Sequence, residues 1–197
     1  MGKHIDELIS RYPKLEINKE SIVKSYDILV NCFEQDKKLL LCGNGGSSSD
    51  CDHIVGELMK GFIKKRTPDK KYSVDNLEGG LMAINLCAHT ALSHAFANDR
   101  CFENSFANQV LNYGRSGDVL LGITTSGNSK NVINASKIAR DKNMKVIALT
   151  GGSGGEIKNI ADVSIIVPES ETYKVQELHL PIYHALCLEL EDRFFKE

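Results

Sequence analysis

Apolar residues first recur at helical spacing over about residues 19–35. They lie three or four positions apart, and this spacing predicts an amphipathic helix. The apolar positions are Ile22, Val23, Tyr26, Leu29, Val30 and Phe33. The apolar run 38–42 follows and stops at a glycine, which predicts a short buried strand. A second helical pattern, through Ile54, Leu58 and Phe62, begins after a loop of glycine and serine residues.

The same order of strand, loop and helix recurs along the rest of the chain. Four further apolar runs predict strands, the first of them the weakest: 80–84, 118–123, 145–149 and 163–167. The last predicted helix covers about residues 175–195, and Pro181 is best tolerated there if it lies near the first turn. Because strands alternate with helices, we expect an α/β fold whose parallel sheet is covered on both faces.

Composition changes this picture little. A chain of 197 residues suits one domain, and no linker rich in glycine, serine or proline marks a boundary. Hydrophobic residues make up 42% and charged residues 25%, a balance typical of soluble globular proteins rather than of disordered or coiled-coil chains. We predict a single domain over residues 1–197, with helices in about 1–36 that pack on its core or in an oligomer interface.

Charge and cysteine content argue against several classes of protein. A net charge of −2 does not suit a dedicated nucleic-acid binder, because phosphate backbones select strongly basic surfaces. No apolar run approaches the ~20 residues of a membrane helix, and the acidic N-terminus does not resemble a secretory signal. None of the six cysteines forms a Cys-x-x-Cys pair, so we expect free thiols. We predict a cytoplasmic protein with neither nucleic acid nor membrane as a partner.

One loop between a predicted strand and helix carries a dense set of hydroxyl groups. Residues 124–129 read Thr-Thr-Ser-Gly-Asn-Ser, and ligands of open parallel sheets bind at such carboxyl ends of strands. Free N–H groups and the positive end of the helix dipole favour an anion there. A single hydroxyl would suit a plain helix cap, but four exceed what a cap requires. We therefore favour a phosphate site.

A second loop, 43–47, reads Gly-Asn-Gly-Gly-Ser and resembles nucleotide-binding fingerprints. It fits neither of them, because the dinucleotide pattern requires glycine where Ser48 stands and the P-loop requires a lysine. Neutral hydroxyls without a lysine suit one phosphate better than a triphosphate. A tight turn that needs glycine is the plainer interpretation, and both can hold together.

Two groups of side chains could act on a substrate or bind a metal. His53 and Glu57 lie four residues apart in a predicted helix and share one face. The second group lies in the last helix: Gln176, Glu177, His179 and His184. Helical geometry alone leaves both histidines of that group as candidates to join the glutamine. Each group by itself is more typical of an ordinary polar surface, but two imidazoles, a carboxylate and an amide oxygen would make a plausible zinc site.

Together these motifs resemble the sedoheptulose 7-phosphate isomerases, or phosphoheptose isomerases, of the sugar-isomerase (SIS) domain group. The resemblance rests on both loops, on the pair His53 and Glu57, on Asn98-Asp99 and on residues 176–184. It runs in order from about residue 20 to the C-terminus. It implies a flavodoxin-like three-layer αβα sandwich, assembled as a homotetramer with its sites between subunits.

The resemblance also implies roles for individual residues. Glu57 and His184 would be catalytic. The zinc ligands, with one ion per subunit, would be His53, Glu57, Gln176 and His184, which selects His184 over His179. The residues that line the substrate site would be Asn44, Gly45, Gly46, Ser47, Glu57, Asn98, Asp99, Thr124, Thr125, Ser126, Ser129 and Gln176.

The implied reaction converts sedoheptulose 7-phosphate to D-glycero-D-manno-heptose 7-phosphate through an enediol, for nucleotide-heptose biosynthesis. Such an aldose–ketose isomerisation needs a base for the proton beside the carbonyl and a group that moves hydroxyl protons. A lone pair bound to zinc is not free to take a proton. Either the ion releases a ligand during catalysis or it mainly polarises the substrate oxygens, and the sequence leaves both open.

The chain departs from the family pattern at Gly61, where several relatives carry an arginine. Lys60, Lys64 and Lys65 are the candidate substitutes. The surrounding segment 64–78 is polar and charge-rich, and we predict a surface loop there.

Two other functions remain compatible with the same motifs. One is a sugar-phosphate-binding regulator or replication-initiation adaptor of the same fold, which can keep the phosphate loop without the four zinc ligands. The joint presence of those ligands favours the enzyme. The other is an isomerase for a different phosphosugar, which only a comparison of rates can separate.

Overall fold

In the computed structural model, which describes residues 2–68 and 72–195, five parallel strands form one sheet. The strands are β1 (Leu39–Cys42), β2 (Ala83–Asn85), β3 (Val119–Thr124), β4 (Lys145–Gly151) and β5 (Val163–Val167). Their order across the sheet is β2-β1-β3-β4-β5. All the predicted strands are therefore present, and the weakest of them is the short strand β2 at one edge.

Seven α-helices in the same described ranges connect or flank these strands: α1 (Lys3–Arg11), α2 (Lys19–Glu34), α3 (Gly46–Met59), α4 (Thr90–Asp99), α5 (Ser105–Tyr113), α6 (Lys130–Asp141) and α7 (Thr172–Phe194). Short 3-10 helices complete the connections: Pro13–Asn18, Leu86–Ala88, Phe102–Asn104 and Ile157–Asn159. Within the described residues, no helix combines the length and apolar character needed to cross a membrane.

Side chains of the central strands alternate between two hydrophobic cores, one on each face of the sheet. In β1, Leu39 and Leu41 join the core under α1, α2, α3 and α7, whereas Leu40 and Cys42 join the core under α5 and α6. All four side chains are buried, as expected for a strand covered on both faces. The predicted three-layer αβα sandwich is confirmed.

The strand order creates a topological switch point between β1 and β3. The chain leaves β1 toward β2 on one side and reaches β3 on the other, which is the flavodoxin-like order. Cys42, the last residue of β1, lies beside Gly122, and β3 continues to Thr124. The two loops with candidate chemistry therefore leave the sheet at the same edge, where open sheets of this kind bind ligands.

The last helix differs from the prediction at its beginning. Helix α7 begins at Thr172, so Pro181 lies in its middle, and the prediction that this proline lies near the first turn is wrong. Proline has no N–H, so the Glu177 carbonyl loses its helical hydrogen bond. Glu177 is exposed, and water can satisfy that carbonyl. The polar first turn of α7 carries no apolar spacing from which its start could be read.

Candidate active site

A pair of amide hydrogen bonds joins the loop that follows β1 to the first turn of α6, directly after the loop that follows β3. Asn44 Nδ2 donates to Asn131 Oδ1 at 3.0 Å, and Asn131 Nδ2 donates back to Asn44 Oδ1 at 2.8 Å. Asn131 lies buried in the first turn of α6, whereas Asn44 is exposed. Sequence analysis predicted Asn44 as a site residue but missed Asn131, because an amide inside a helix follows no recognisable pattern. The pair fixes the two loops to each other.

The hydroxyl groups of the loop after β3 do not cap helix α6. Ser129 is the N-cap residue, but its side chain makes no capping bond and its Oγ lies 2.9 Å from Thr124 Oγ1. The first N–H groups of a helix have no backbone partner within it. In α6, the Val132 N–H donates to Asn131 Oδ1 at 3.0 Å, and the N–H groups of Lys130 and Asn131 precede it at the loop. Thr125 is half-buried and Ser126 is exposed in the same loop. The arrangement keeps the donors that an anion needs.

Gly127 holds this loop against the loop that follows β4. Its φ of 70° lies in the left-handed region, and a Cβ here would be 2.1 Å from the Gly154 carbonyl oxygen. Two backbone bonds of 3.1 Å join the same loops, from Gly151 N–H to the Thr125 carbonyl and from Ile157 N–H to the Gly127 carbonyl. Only glycine fits this close approach. Backbone contacts therefore set the shape of the hydroxyl loop.

Gln176 of α7 lies against the start of α3. A Cβ on Gly46, the first residue of α3, would be 2.4 Å from Gln176 Nε2, so the amide occupies the space that a side chain would fill. Gly45 and Gly46 are both exposed at this turn. Ser47 is only 3% exposed and packs beneath Gly43, so little of its side chain is open to a ligand.

Helices α3 and α7 lie side by side and bring three of the predicted groups together. His53 Nε2 lies 3.3 Å from Glu57 Oε1, one helical turn further along α3. Across the helix pair, His184 Nε2 lies 3.4 Å from His53 Nε2, and the two rings meet edge to face. Of the two histidines left open by helical geometry, His184 lies in this cluster and His179 is fully buried elsewhere.

Burial keeps the imidazole of His184 neutral near pH 7. It lowers the pKa of His184, the nearby His53 ring lowers it further, and the Glu57 carboxylate acts in the opposite direction. A neutral ring retains a lone pair that can accept a proton or bind a metal. The Glu57 side chain is only 18% exposed, so the cluster combines a shielded carboxylate with a neutral imidazole.

Two residues that sequence analysis missed form a short chain on the other side of His53. Tyr183 Oη lies 3.0 Å from His53 Nδ1 and donates to Asp50 Oδ1 at 3.2 Å. Asp50 precedes His53 by three residues and so shares its helix face, which is a pattern that could have identified it. Tyr183 could not be identified in this way. It precedes His184 in α7, but successive residues of a helix point in different directions, so this position does not predict a contact with His53.

The imidazole nitrogens and the carboxylate of this cluster are ligand types that zinc binds. The four predicted ligands are not assembled around one point, however. Among residues 2–68 and 72–195, no three His, Cys, Asp or Glu side chains form a ready metal-binding group. The contacts of 3.3 Å and 3.4 Å around His53 Nε2 equal the separation of two ligands about 2.0–2.1 Å from a tetrahedral ion. Gln176 instead lies at Gly46, about two helical turns from His53.

Asn98 and Asp99 stand apart from the other predicted site residues in this chain. They end α4, where Asn98 Nδ2 donates to Asp99 Oδ1 at 2.7 Å, and both residues are exposed. None of the α4 residues is buried, and Leu92 on this helix is 40% exposed. Helix α4 therefore presents these two residues on a surface that the described part of the chain leaves uncovered.

A buried ion pair braces the end of α3 behind Glu57. Arg66 Nη2 donates to the Glu57 carbonyl at 2.8 Å, and its Nη1 donates to the Leu58 carbonyl at 2.6 Å. Its Nε pairs with Glu191 Oε1 of α7 at 2.9 Å, and the Arg66 side chain is 0% exposed. The guanidinium thus satisfies carbonyls that the helix end leaves free and ties α3 to α7.

The segment 64–78 is a surface loop only in part. Arg66 is buried, so the prediction is wrong at this residue, because the carbonyls and the carboxylate described above satisfy its charge. Residues 72–78 are exposed, and residues 69–71 lie outside the part of the chain that the structure describes.

The three lysines predicted to replace the family arginine lie around the end of α3. Lys64 Nζ pairs with Asp192 Oδ1 of α7 at 2.8 Å. Lys60 and Lys65 are exposed. A contact between any of them and the substrate stays a prediction.

His179 is a buried group whose replacement we expect to change the pH dependence of stability. Burial lowers the pKa of His179 to about 4, and the nearby Thr150 backbone offsets only part of this effect. Neither ring nitrogen has a hydrogen-bond partner of good geometry among the described residues. Below about pH 6.5 the unfolded chain binds a proton that the folded chain accepts only near pH 4. The free energy of unfolding therefore falls as the pH falls through this range.

We expect the wild type to lose about 2–3 kcal/mol more stability than His179→Leu between pH 7 and pH 4.5. At pH 7 the leucine variant should be at least as stable, because the unpaired ring nitrogens are removed. Urea unfolding of both proteins at the two pH values provides the measurement. Equal losses of stability in the two proteins would contradict the buried, neutral state of His179.

Comparison with known proteins finds similar sequences over most of the chain. Residues 3–151 match the family described as the SIS domain. The chain is 40% identical over 180 residues to a phosphoheptose isomerase of Helicobacter pylori, covering 91% of this chain and 88% of that protein. It is 41% identical over 199 residues to the phosphoheptose isomerase of a Nitratiruptor species, covering 98% of this chain and 100% of that protein.

A solved structure gives the same result in three dimensions. The phosphoheptose isomerase of Neisseria gonorrhoeae superposes with a TM-score of 0.80 at 37% sequence identity. The superposition covers 96% of this chain and 95% of the other. The similarity therefore extends over nearly the whole of both chains.

Proposed function

The chain belongs to the phosphoheptose isomerases, a family of SIS-domain proteins, and we propose that zinc assists its conversion of sedoheptulose 7-phosphate to D-glycero-D-manno-heptose 7-phosphate. The enzyme is an aldose–ketose isomerase. Its reaction moves a carbonyl from C2 of the ketose to C1 of the aldose through an enediol. The product would serve nucleotide-heptose biosynthesis.

The approach of Glu57 and His184 to the same ring, His53, is the observation that supports this chemistry most directly. An enediol forms when a base removes the C1 proton, and it collapses to the aldose when C2 receives a proton. A second group must carry a proton between the oxygens on C1 and C2. The shielded carboxylate of Glu57 and the neutral imidazole of His184 would fill these two roles.

The hydroxyl loop 124–129 would hold the phosphate of the substrate. Its hydroxyl groups and the N–H groups of Lys130 and Asn131 at the start of α6 would supply donors without a positive side chain. The amide pair Asn44–Asn131 couples this loop to the loop after β1, so a phosphate bound at one loop would also order the other. Gly45, Gly46 and Gln176 would then contact the sugar between the phosphate and the reacting carbons.

Zinc would be held by His53, Glu57, Gln176 and His184. When bound, the ion would polarise the substrate oxygens and stabilise the negative charge that develops on them. Gln176 would have to turn from Gly46 toward His53 to join the set. A lone pair that binds metal cannot take a proton, so Glu57 and His184 would act on the substrate only while their own lone pairs are free.

We also propose a homotetramer in the cytoplasm, with sites between subunits. The uncovered helix α4, with Asn98 and Asp99 at its end, supports a site that is completed by a second copy of the chain. Light scattering on the purified protein tests the assembly, and a mass near the 21.8 kDa of one chain would contradict it.

A comparison of phosphosugars tests the proposed substrate. We expect sedoheptulose 7-phosphate to be isomerised with a higher kcat/KM than fructose 6-phosphate or ribulose 5-phosphate, with NMR used to follow both reactant and product. A higher kcat/KM for another sugar would assign a different substrate. Tight binding of these sugars without turnover would instead indicate a sugar-phosphate-binding regulator.

A further inference from the structure

Tyr183 and Asp50 form a short hydrogen-bonded chain behind His53. Tyr183 Oη lies 3.0 Å from His53 Nδ1 and 3.2 Å from Asp50 Oδ1. Tyr183 is only 2% exposed, so its hydroxyl cannot exchange these partners for bulk water. The isomerisation requires no role from either residue, and their contacts therefore call for a separate explanation.

The two contacts determine where the protons lie. A carboxylate only accepts hydrogen bonds, so the single proton of the Tyr183 hydroxyl points to Asp50. The same hydroxyl oxygen can then only accept from His53, which must carry its proton on Nδ1. A His53 ring whose one proton lies on Nδ1 has a bare lone pair on Nε2.

That lone pair lies beside the Glu57 carboxylate and the His184 ring. His53 Nε2 is 3.3 Å from Glu57 Oε1 and 3.4 Å from His184 Nε2. A bare nitrogen lone pair and a carboxylate oxygen 3.3 Å apart repel each other unless a proton or a cation lies between them. With the His53 proton on Nδ1, the space between Nε2 and Glu57 Oε1 therefore favours a cation.

We propose that Tyr183, supported by Asp50, is a positioning residue that holds His53 in the Nδ1–H tautomer with Nε2 directed to the zinc site. This inference rests on the proposed zinc function. Groups that bind the second nitrogen of a metal-ligating histidine fix both its ring orientation and its tautomer, and their loss costs about 10–100-fold in metal affinity.

Zinc affinity of the metal-stripped protein provides the test. We expect Tyr183→Phe to raise the dissociation constant for zinc about 10–100-fold, measured by titration with zinc chloride against a fluorescent chelator. The variant loses one hydroxyl and keeps the ring that packs against His53. Tyr173→Phe is the matched control, because it makes the same change on an exposed residue of the same helix, and its affinity should equal that of the wild type.

The same substitution in a His53→Ala background separates positioning from a general structural effect. If Tyr183 acts through His53, Tyr183→Phe should change zinc affinity less than about twofold in that background. Asp50→Asn keeps an oxygen that can accept from Tyr183, so it should weaken binding less than Asp50→Ala. Circular dichroism of each variant checks that the fold is retained.

Three results would overturn the inference, and they are distinguishable. Zinc binding by the wild type together with unchanged affinity in Tyr183→Phe would refute the positioning role alone. An equal loss of affinity with and without His53 would show that Tyr183 acts on the fold rather than through the histidine. A wild type that binds no zinc would refute the proposed zinc function and this inference with it.

Discussion

Replacement of Glu57 by glutamine is expected to lower kcat for isomerisation of sedoheptulose 7-phosphate by about 10²–10⁴-fold, the usual contribution of a positioned acid or base. The amide has nearly the shape of the carboxylate but cannot take a proton from carbon. The Glu57 side chain is mostly shielded from solvent and lies 3.3 Å from His53 Nε2. A water molecule therefore has little room to take over as the base in the variant. Steady-state kinetics of the purified variant give the measurement.

Three further variants are compared with Glu57→Gln. His184→Asn should reduce kcat to a similar extent, because it removes the second group of the cluster. Glu177→Gln makes the same chemical change on an exposed residue of α7 and should leave kcat unchanged. His179→Asn should lower stability more than kcat, because His179 is buried away from the cluster. Turnover by Glu57→Gln within a few fold of the wild type would contradict the catalytic role.

Replacement of Arg66 by methionine is expected to lower the free energy of unfolding by about 3–5 kcal/mol, the usual result of removing one partner of a buried ion pair. The Glu191 carboxylate would remain buried with its charge partner gone. The carbonyls of Glu57 and Leu58 would also lose their donors. Because Arg66 braces the turn that carries Glu57, we expect kcat to fall as well. Urea unfolding and steady-state kinetics measure the two effects.

An exposed ion pair supplies the control for Arg66. Lys24 and Glu20 pair on the surface of α2 at 2.6 Å, and exposed pairs of this kind contribute only about 0.3–0.5 kcal/mol. Lys24→Met should therefore change the free energy of unfolding far less than Arg66→Met. Similar small losses in both variants would show that the buried pair does not brace α3.

The fold could be predicted from the sequence because its elements follow simple apolar patterns. The central strands are short and mostly apolar runs. Small residues follow them, as Gly43 does after Cys42 and Thr125 after Thr124. The start of α7 could not be predicted in the same way. Its first three residues, Thr172, Tyr173 and Lys174, are not buried and show no apolar spacing, so the helix starts earlier than the apolar pattern and Pro181 lies in its middle.

The candidate site could be predicted where residues share a loop or a helix face. His53 and Glu57 lie one turn apart on the same helix, so their contact follows from sequence spacing. The partners of these residues come from distant segments. Tyr183 meets His53 only because α7 packs beside α3, and Arg66 lies in a polar stretch whose burial depends on Glu191. Such contacts arise from packing, which local spacing does not encode.

The most direct test of the account is isomerisation of sedoheptulose 7-phosphate by the metal-stripped protein, before and after zinc is added back. We expect stripping to abolish product formation and about one equivalent of zinc per chain to restore it, since a single four-ligand site is proposed in each subunit. Full activity of the metal-free protein would contradict the zinc-assisted mechanism. No product in either state would contradict the proposed reaction itself.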